Sequence, residues 1–412
     1  MRNLATVQKV STLREHLTHK GNLKNTRYGW LRLTPAYSVH LVSELLDSHD
    51  EEKPVVLDPF CGTGTTALVC AERGIESNTT DINPFLIWLA TAKAGLYSAT
   101  DIEDFEYSAD KIAEKFAAQT NGEWKPELFQ IEKWWDEPTL EGLSNVMTAI
   151  KKAEENSSIN AVNLLKLAFC RVMIERANVS FAHQSMSFKK NVNPSLFPTN
   201  AVVNSWEQAV SSISNAARSE ILKTPSVYLC DARNLTSKLE TNRYSCVITS
   251  PPYPNRMSYI RELRPYMYWL KYLETAQDAS ELDWQAIGGT WGSATSKAGK
   301  WMPENDVKIP FDDFQSIIKQ IAEKSVVLSR YVHKYFYDMG KHSKELFEVV
   351  KPGGKIHYIV GNSKFYDVML PVELIFAALF ESAGFIDCTV RTIRKRTSKK
   401  ELFEFVVSAT KP

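Results

Sequence analysis

Two short stretches combine residue types and spacings that can do chemistry. The first is Asp58-Pro59-Phe60-Cys61-Gly62-Thr63-Gly64-Thr65-Thr66. Glycines between a strand and a helix let the backbone approach a ligand and present helix N-terminal amides to it. Gly62, Gly64 and Ala67 fit the loose dinucleotide fingerprint, with an acid, Asp81, seventeen residues after Gly64. An acid there can accept hydrogen bonds from ribose hydroxyls, or it can cap the helix opened by Asn83-Pro84. Alone, the glycine stretch fits either a nucleotide-type cofactor or a tight turn with no ligand. The second stretch is Thr249-Ser250-Pro251-Pro252-Tyr253. Its prolines fix the backbone and remove two amide donors. Carbonyls are left free beside a hydroxyl and an aromatic ring. Such a group suits a planar ring carrying an exocyclic amine: Ser250 and a carbonyl accept from the NH2, and Tyr253 stacks on the ring. A rigid loop with a packed tyrosine is the purely structural alternative.

These stretches need strands and helices to hold them. Pro54-Val55-Val56-Leu57-Asp58 reads as a short buried strand, and residues 65–73 as the helix after the glycine turn. A second strand is expected over 76–81 and a helix from Asn83-Pro84. Ahead of them, Tyr37, Val39, Leu41, Val42, Leu45 and Leu46 form a helical stripe starting at Pro35. Strands follow at Val227–Asp231 and Cys246–Thr249. A helix is expected near 341–350, then the Lys351-Pro352-Gly353-Gly354 turn and a strand from Lys355 to Val360. A helix over 371–383 and strands near 386–394 and 402–409 complete the series. This alternation signals a parallel α/β sheet. Residues 96–222 read as mostly helical, and 262–340 as irregular or helical.

The 412 residues carry 49 Lys+Arg against 48 Asp+Glu, a net charge of +1, with 44% hydrophobic residues. That excludes a wholly disordered chain and argues against coating nucleic acid by bulk electrostatics, but not against a local basic groove. The six cysteines form no CxxC pair, so no structural zinc site is expected, and buried reduced thiols are. The first residues hold no apolar secretory region, and no apolar run reaches the ~18 residues of a membrane span.

Taken together, the two stretches resemble the amino-methylating DNA methyltransferases, which use S-adenosylmethionine (SAM). Residues 58–66 are similar to that family's cofactor motif, and Ser250-Pro251-Pro252-Tyr253 to its catalytic tetrad. Asp81-Ile82-Asn83-Pro84 resembles its ribose-binding acid motif, and Asp231-Ala232 the position beside the SAM adenine. Thr34-Pro35-Ala36-Tyr37 resembles the segment over the SAM methionine. The resemblance covers about half the chain. It implies a Rossmann-like class I methyltransferase fold, a mixed α/β sheet with two insertions. The catalytic domain would comprise 33–95, 223–262 and 340–412, after a basic N-terminal segment 1–32. Residues 96–222 and 263–339 would be insertions and candidate DNA-recognition regions, because neither usual place for a recognition domain is available. Asp231 and Ser250 stand only nineteen residues apart, and the chain ends soon after the last strand.

The implied cofactor-binding residues are Thr34, Pro35, Tyr37, Asp58, Pro59, Phe60, Cys61, Gly62, Thr63, Gly64, Thr65, Asp81, Ile82, Asn83, Asp231 and Ala232. The catalytic set is Ser250, Pro251, Pro252 and Tyr253. A serine at the first tetrad position favours cytosine-N4, with adenine-N6 the next reading. An RNA base methyltransferase and an inactive nucleic-acid-binding subunit follow. A dehydrogenase would leave the tetrad unexplained. The chain contains no Pro-Cys dipeptide of the kind carbon-5 cytosine enzymes use.

Basic residues supply the DNA candidates. Residues 391–400 carry six Lys/Arg and no acid, including Arg394, Lys395 and Arg396. Arg256 and Arg261 follow the tetrad, and Lys189-Lys190 lie in the first insertion. A run of charge can also be just a solvated face. Lys364 is a further candidate contact, and Trp291 could stack on a base or fill the gap left by a flipped one. His183 and His357 read as structural. The expected partner is double-stranded DNA, with a cognate restriction enzyme as a second partner, no metal, no membrane, and a prokaryotic cytoplasmic, nucleoid-associated location.

Overall fold

A computed structural model describes residues 26–31, 33, 37–116, 124–180, 187–189, 198–255, 258–289, 295–304, 308–396 and 401–412. Thr34, Pro35, His183, Lys190, Arg256 and Trp291 lie outside the described residues.

Seven strands form one mixed sheet: β1 (Val56–Asp58), β2 (Ser77–Asp81), β3 (Ser226–Leu229), β4 (Tyr244–Thr249), β5 (Val350–Gly361), β6 (Ile386–Lys395) and β7 (Phe403–Thr410). Their spatial order is β6-β7-β5-β4-β1-β2-β3. The strands from β3 to β5 run parallel, with Leu57 beside Asn78 on one side and Val247 on the other. Strand β7 inserts antiparallel beside β5, and β6 pairs antiparallel outside it. β1 and β4 are buried at every position, as expected of strands covered on both faces. The sheet reverses between β1 and β4, where α/β folds place ligands at the strands' C-terminal ends.

Local sequence explains the elements around that point. Helix α1 (Val39–Asp47) buries Leu41, Val42, Leu45 and Leu46. Helix α2 (Thr65–Glu72) starts from Gly64 at φ 74° and buries every residue from Thr65 to Ala71. Helix α3 (Pro84–Lys93) has proline in its first turn and Asn83 as its cap, accepting from Phe85 N–H.

Between α3 and β3 lie helices α4 (Ala99–Phe116), α5 (Glu137–Ala153), α6 (Ile159–Glu175) and α7 (Pro198–Ala217). They share one core with Trp30, Phe85 and Leu89. After β4 comes α8 (Tyr259–Trp269), whose Leu263, Tyr266, Met267 and Trp269 join that core. Arg27 ties the parts together. Its buried guanidinium donates to the carbonyls of Lys93, at the end of α3, and of Ala217, at the end of α7. A cation at two helix C-termini meets their partial negative charge.

The helix expected near 341–350 is longer. Helix α9 (Phe314–Lys324) leads into α10 (Val326–Val349), one continuous helix. Its first turns bury Leu328, Tyr331, Val332, Tyr335, Phe336 and Met339. The tyrosines and histidines interspersed there obscure an apolar stripe that packing makes plain. Strand β5 also begins earlier than expected, at Val350. The Pro352-Gly353 pair sits in a bulge, with Gly353 at φ 78° and a register shift against β4. Helix α11 (Val372–Ala383) covers β5 and β7. All six cysteines are free, and five are buried. Among the described residues, no helix is long and apolar enough to cross a membrane.

Candidate active site

The glycine stretch forms the connection from β1 to α2. Gly62 and Gly64 hold φ values of 51° and 74°, where a side chain is strained. A Cβ on Gly64 would also stand 3.2 Å from Ala90 Cα, so α3 lies directly against the loop. Cys61 N–H donates to Thr80 O, and Gly62 N–H to the Asp81 carboxylate (3.1 Å). The other Asp81 oxygen accepts from Asn83 N–H. Asp81 is therefore not the helix cap; Asn83 is. Asp81 remains partly exposed at the end of β2, and burial pushes its carboxyl up to about 6.

Asp58 links this loop to the tetrad. It is 1% exposed, and it accepts from Phe60 N–H (3.1 Å), Tyr37 OH (3.0 Å) and Thr249 Oγ1 (2.6 Å). Burial pushes its carboxyl up to about 6, while those three donors act to lower it. Thr66 Oγ1 lies against both Tyr37 OH and Ile248 O in β4, its single proton serving one of them. One carboxylate thus fixes the glycine loop, Tyr37 and the residue before Ser250.

The tetrad is anchored from three sides. Ser250 Oγ donates to Ile359 O in β5 (3.1 Å). A hydroxyl has one proton, so this bond leaves the Ser250 lone pairs available as acceptors. Tyr335 OH, from α10, donates to Pro252 O (2.7 Å). Tyr253 N–H donates to Tyr259 OH, in α8 (3.0 Å). Burial holds the Tyr253 phenol well above its usual range, so it stays protonated.

Asp231 and Ala232 follow β3. Arg233 clamps Asp231 through Nε and Nη2 and also pairs with Asp338. His342, absent from the sequence candidates, joins this segment to the sheet. It is fully buried, with Nδ1 on Ala232 O (2.7 Å), Nε2 on Tyr358 OH (2.6 Å), and its ring edge-on to Phe60. A carbonyl only accepts, so Nδ1 carries the proton and Tyr358 donates to Nε2. Burial lowers its pKa to about 4, so the ring is neutral near pH 7.

Lys93 is the second such residue. It is 2% exposed and donates to Thr63 O in the glycine loop (3.1 Å) and Tyr28 O (3.4 Å), and burial lowers it to about 8. Neither residue has a local sequence signal. Lys93 ends an apolar helix, and His342 bonds a carbonyl 110 positions away.

The basic candidates divide. Arg261 is exposed on the first turn of α8, close after the tetrad. Arg396 lies over the Tyr253 ring, 5.8 Å from its centroid. Lys395 is exposed. Arg394 is held by both oxygens of Glu404, and Lys364 by Glu401. Lys189 is exposed on the first insertion, its N–H donating to Asn178 O. His357 sits in β5 against Ser408 Oγ. Among the described residues, no cluster of three His, Cys, Asp or Glu could hold a metal.

A family model described as DNA methylase, for N6 and N4 methyltransferases, matches residues 13–139, the part holding the glycine loop and Asp81. Three curated relatives align along most of the chain. The type II methyltransferase M.AvaI of Nostoc is 22% identical, over 91% of this chain and 82% of its own. M.BsoBI of Geobacillus stearothermophilus is 22% identical over 93% and 83%, and M.MvaI of Kocuria varians 22% over 89% and 86%.

Proposed function

From membership of the amino-methylating N4/N6 DNA methyltransferase family, we propose that this chain methylates the exocyclic amine of a flipped base in double-stranded DNA, cytosine-N4 in preference to adenine-N6. The observation that carries this reading is the buried Asp58 carboxylate. It binds Thr249 and Tyr37 at once, and so holds the glycine loop and the Ser250–Tyr253 tetrad at adjacent strand ends. Ser250 in first position supports cytosine, following the family's preference.

The residues fit SAM. The left-handed Gly62 and Gly64 keep the loop bare, and Asp81 presents a partly exposed carboxylate beside it. Ala232, braced by His342, would flank the adenine, and Tyr37 the methionine end. When bound, SAM supplies an electrophilic methyl group on a sulfonium.

The chain's part is to make a poor nucleophile reactive. An aromatic amine's lone pair is delocalised into its ring. Two acceptors on its N–H groups, Ser250 Oγ and the Pro251 carbonyl, favour rehybridisation and disperse the positive charge that develops on nitrogen. Tyr253 stacks on the extruded base, and Tyr335 and Tyr259 keep the tetrad from shifting. Holding amine and methyl in line can supply ~7–11 kcal/mol of the barrier reduction. Residues of the two insertions would read the target sequence, and a restriction enzyme of the same specificity is the natural companion.

The test is transfer of tritium from methyl-labelled SAM to duplex DNA and to RNA in parallel. Label on DNA is expected. Label on RNA alone, or on neither, overturns the reading.

A further inference from the structure

Arg396 is the first residue beyond β6, and its N–H donates to Leu402 O, closing the β6–β7 hairpin (2.8 Å). Its side chain turns towards the tetrad instead of outwards. The guanidinium lies over the Tyr253 ring, and Nη1 donates to Asn362 O (3.3 Å). Asn362 is itself fixed, with Nδ2 on Glu401 O and Oδ1 accepting from Phe403 N–H. Gly361 makes this arrangement possible. A Cβ there would stand 3.0 Å from Tyr253 Cε2 and 3.2 Å from Arg396 Nη1.

The charges nearby are treated differently. Arg391, Arg394 and Lys364 each pair with a glutamate. Among the described residues, no carboxylate pairs with Arg396. A planar, donor-only group with no direct carboxylate partner therefore rests on the aromatic ring that the tetrad reading assigns to stacking. Guanidinium planes stack on aromatic rings and donate in a rigid fork, which an ammonium cannot imitate.

We propose that Arg396 belongs to the target-base pocket, covering Tyr253 while the pocket is empty and donating to acceptor atoms of the flipped base when it is filled. The inference rests on the reading of Ser250–Tyr253 as that pocket. It separates Arg396 from a phosphate contact. Ser250 and the Pro251 carbonyl are acceptors and take the amine. Arg396 only donates, so it suits the ring nitrogen or carbonyl beside that amine. Together they select a base carrying an amine next to an acceptor. Gly361 is the bare floor on which both groups close.

The experiment uses the full chain, wild type, R396A, R396K and G361A. The probe is a duplex containing the recognised sequence, mapped by methylation-sensitive sequencing, with the target nucleotide either intact or abasic. For R396A, affinity for the intact duplex should fall about 5- to 20-fold, the loss of a charge-assisted hydrogen bond to the base less the cation–π contact with Tyr253 that no longer has to be given up on binding. Affinity for the abasic duplex should stay within about twofold, because the lost partner is the base. R396K should behave like R396A, since an ammonium restores the charge but not the rigid fork of donors aimed at the base. G361A should show the same intact-only loss. SAM affinity should match wild type in all three variants, which also shows that they fold. Equal losses on both duplexes, with the salt dependence reduced by about one phosphate's worth, would make Arg396 a backbone contact and overturn the assignment. No loss on either duplex overturns it too. A wild-type chain that transfers no methyl group to any DNA overturns the pocket reading itself.

Discussion

Replacing Asp58 by alanine or by asparagine should have very different consequences. The carboxylate accepts from Phe60 N–H and Thr249 Oγ1 at Oδ1 and from Tyr37 OH at Oδ2, all in a site closed to water. Alanine leaves two buried donors, Phe60 N–H and Thr249 Oγ1, without their acceptor, while Tyr37 OH can turn to Thr66. Hydrogen bonds to a charged group contribute ~1.5–3 kcal/mol each, but the carboxylate's own desolvation offsets part of this, and losses within one network do not add. The net cost of Asp58→Ala is therefore about 3–5 kcal/mol. Asparagine has the same shape. Its carbonyl can keep Phe60 and Thr249, and its NH2 can donate to Tyr37 OH, whose proton then turns to Thr66. It also carries no charge to desolvate, so Asp58→Asn should cost about 1 kcal/mol or less.

The two variants should also differ from wild type with pH. Burial raises the Asp58 carboxyl from 3.8 to about 6. A raised pKa means the folded protein binds the proton more tightly than the unfolded chain. The contribution is complete below the unfolded value and is lost as pH rises through about 6. Neither variant can show it. Guanidinium unfolding at neutral pH gives the stabilities, and calorimetric titration gives SAM affinity, which Asp58→Ala should abolish and Asp58→Asn largely keep. Equal damage from both substitutions, or an Asp58→Ala protein within about 1 kcal/mol of wild type, would refute Asp58 as the link between the two motifs.

Ser250→Ala and Tyr253→Ala should reduce methylation far more than SAM binding, and wild-type turnover in either would remove them from the catalytic set. SAM affinity should fall as pH drops through about 6, because a protonated Asp81 loses accepting capacity; Asp81→Asn should abolish that dependence in the same titration. Gly64→Ala places a side chain at φ 74° and against Ala90, and should cost ~1–2 kcal/mol of stability and weaken SAM binding, read by unfolding and calorimetry. Charge reversal at exposed Arg261 should weaken DNA binding and flatten its salt dependence; an unchanged slope would exclude a phosphate contact there.

What could be read from sequence was local. Asp58, the glycine turn, Asp81 and the tetrad each announce themselves within a few residues, because a strand end, a turn and a rigid proline pair have their own residue requirements. The sheet strands were legible for the same reason. The long helix α10 was not, because its buried face alternates aromatics with polar groups. His342, Lys93, Tyr335 and Gly361 were also missed. Their roles depend on contacts across the fold: Tyr335 reaches Pro252 across 83 residues, and Gly361 matters only because Tyr253 and Arg396 converge on it. Arg394 looked like its neighbour Arg396 in sequence, yet Glu404 occupies the first and Tyr253 faces the second.

The most direct test of amine methylation is the identity of the product nucleoside. DNA labelled by the wild-type protein with tritiated SAM is digested to nucleosides and separated. Transfer to an amine held by Ser250 and Pro251 predicts label in N4-methyldeoxycytidine. Label in N6-methyldeoxyadenosine would keep the chemistry and overturn the choice of base. Label in 5-methyldeoxycytidine, which requires attack by ring carbon, would contradict the role given to the tetrad altogether.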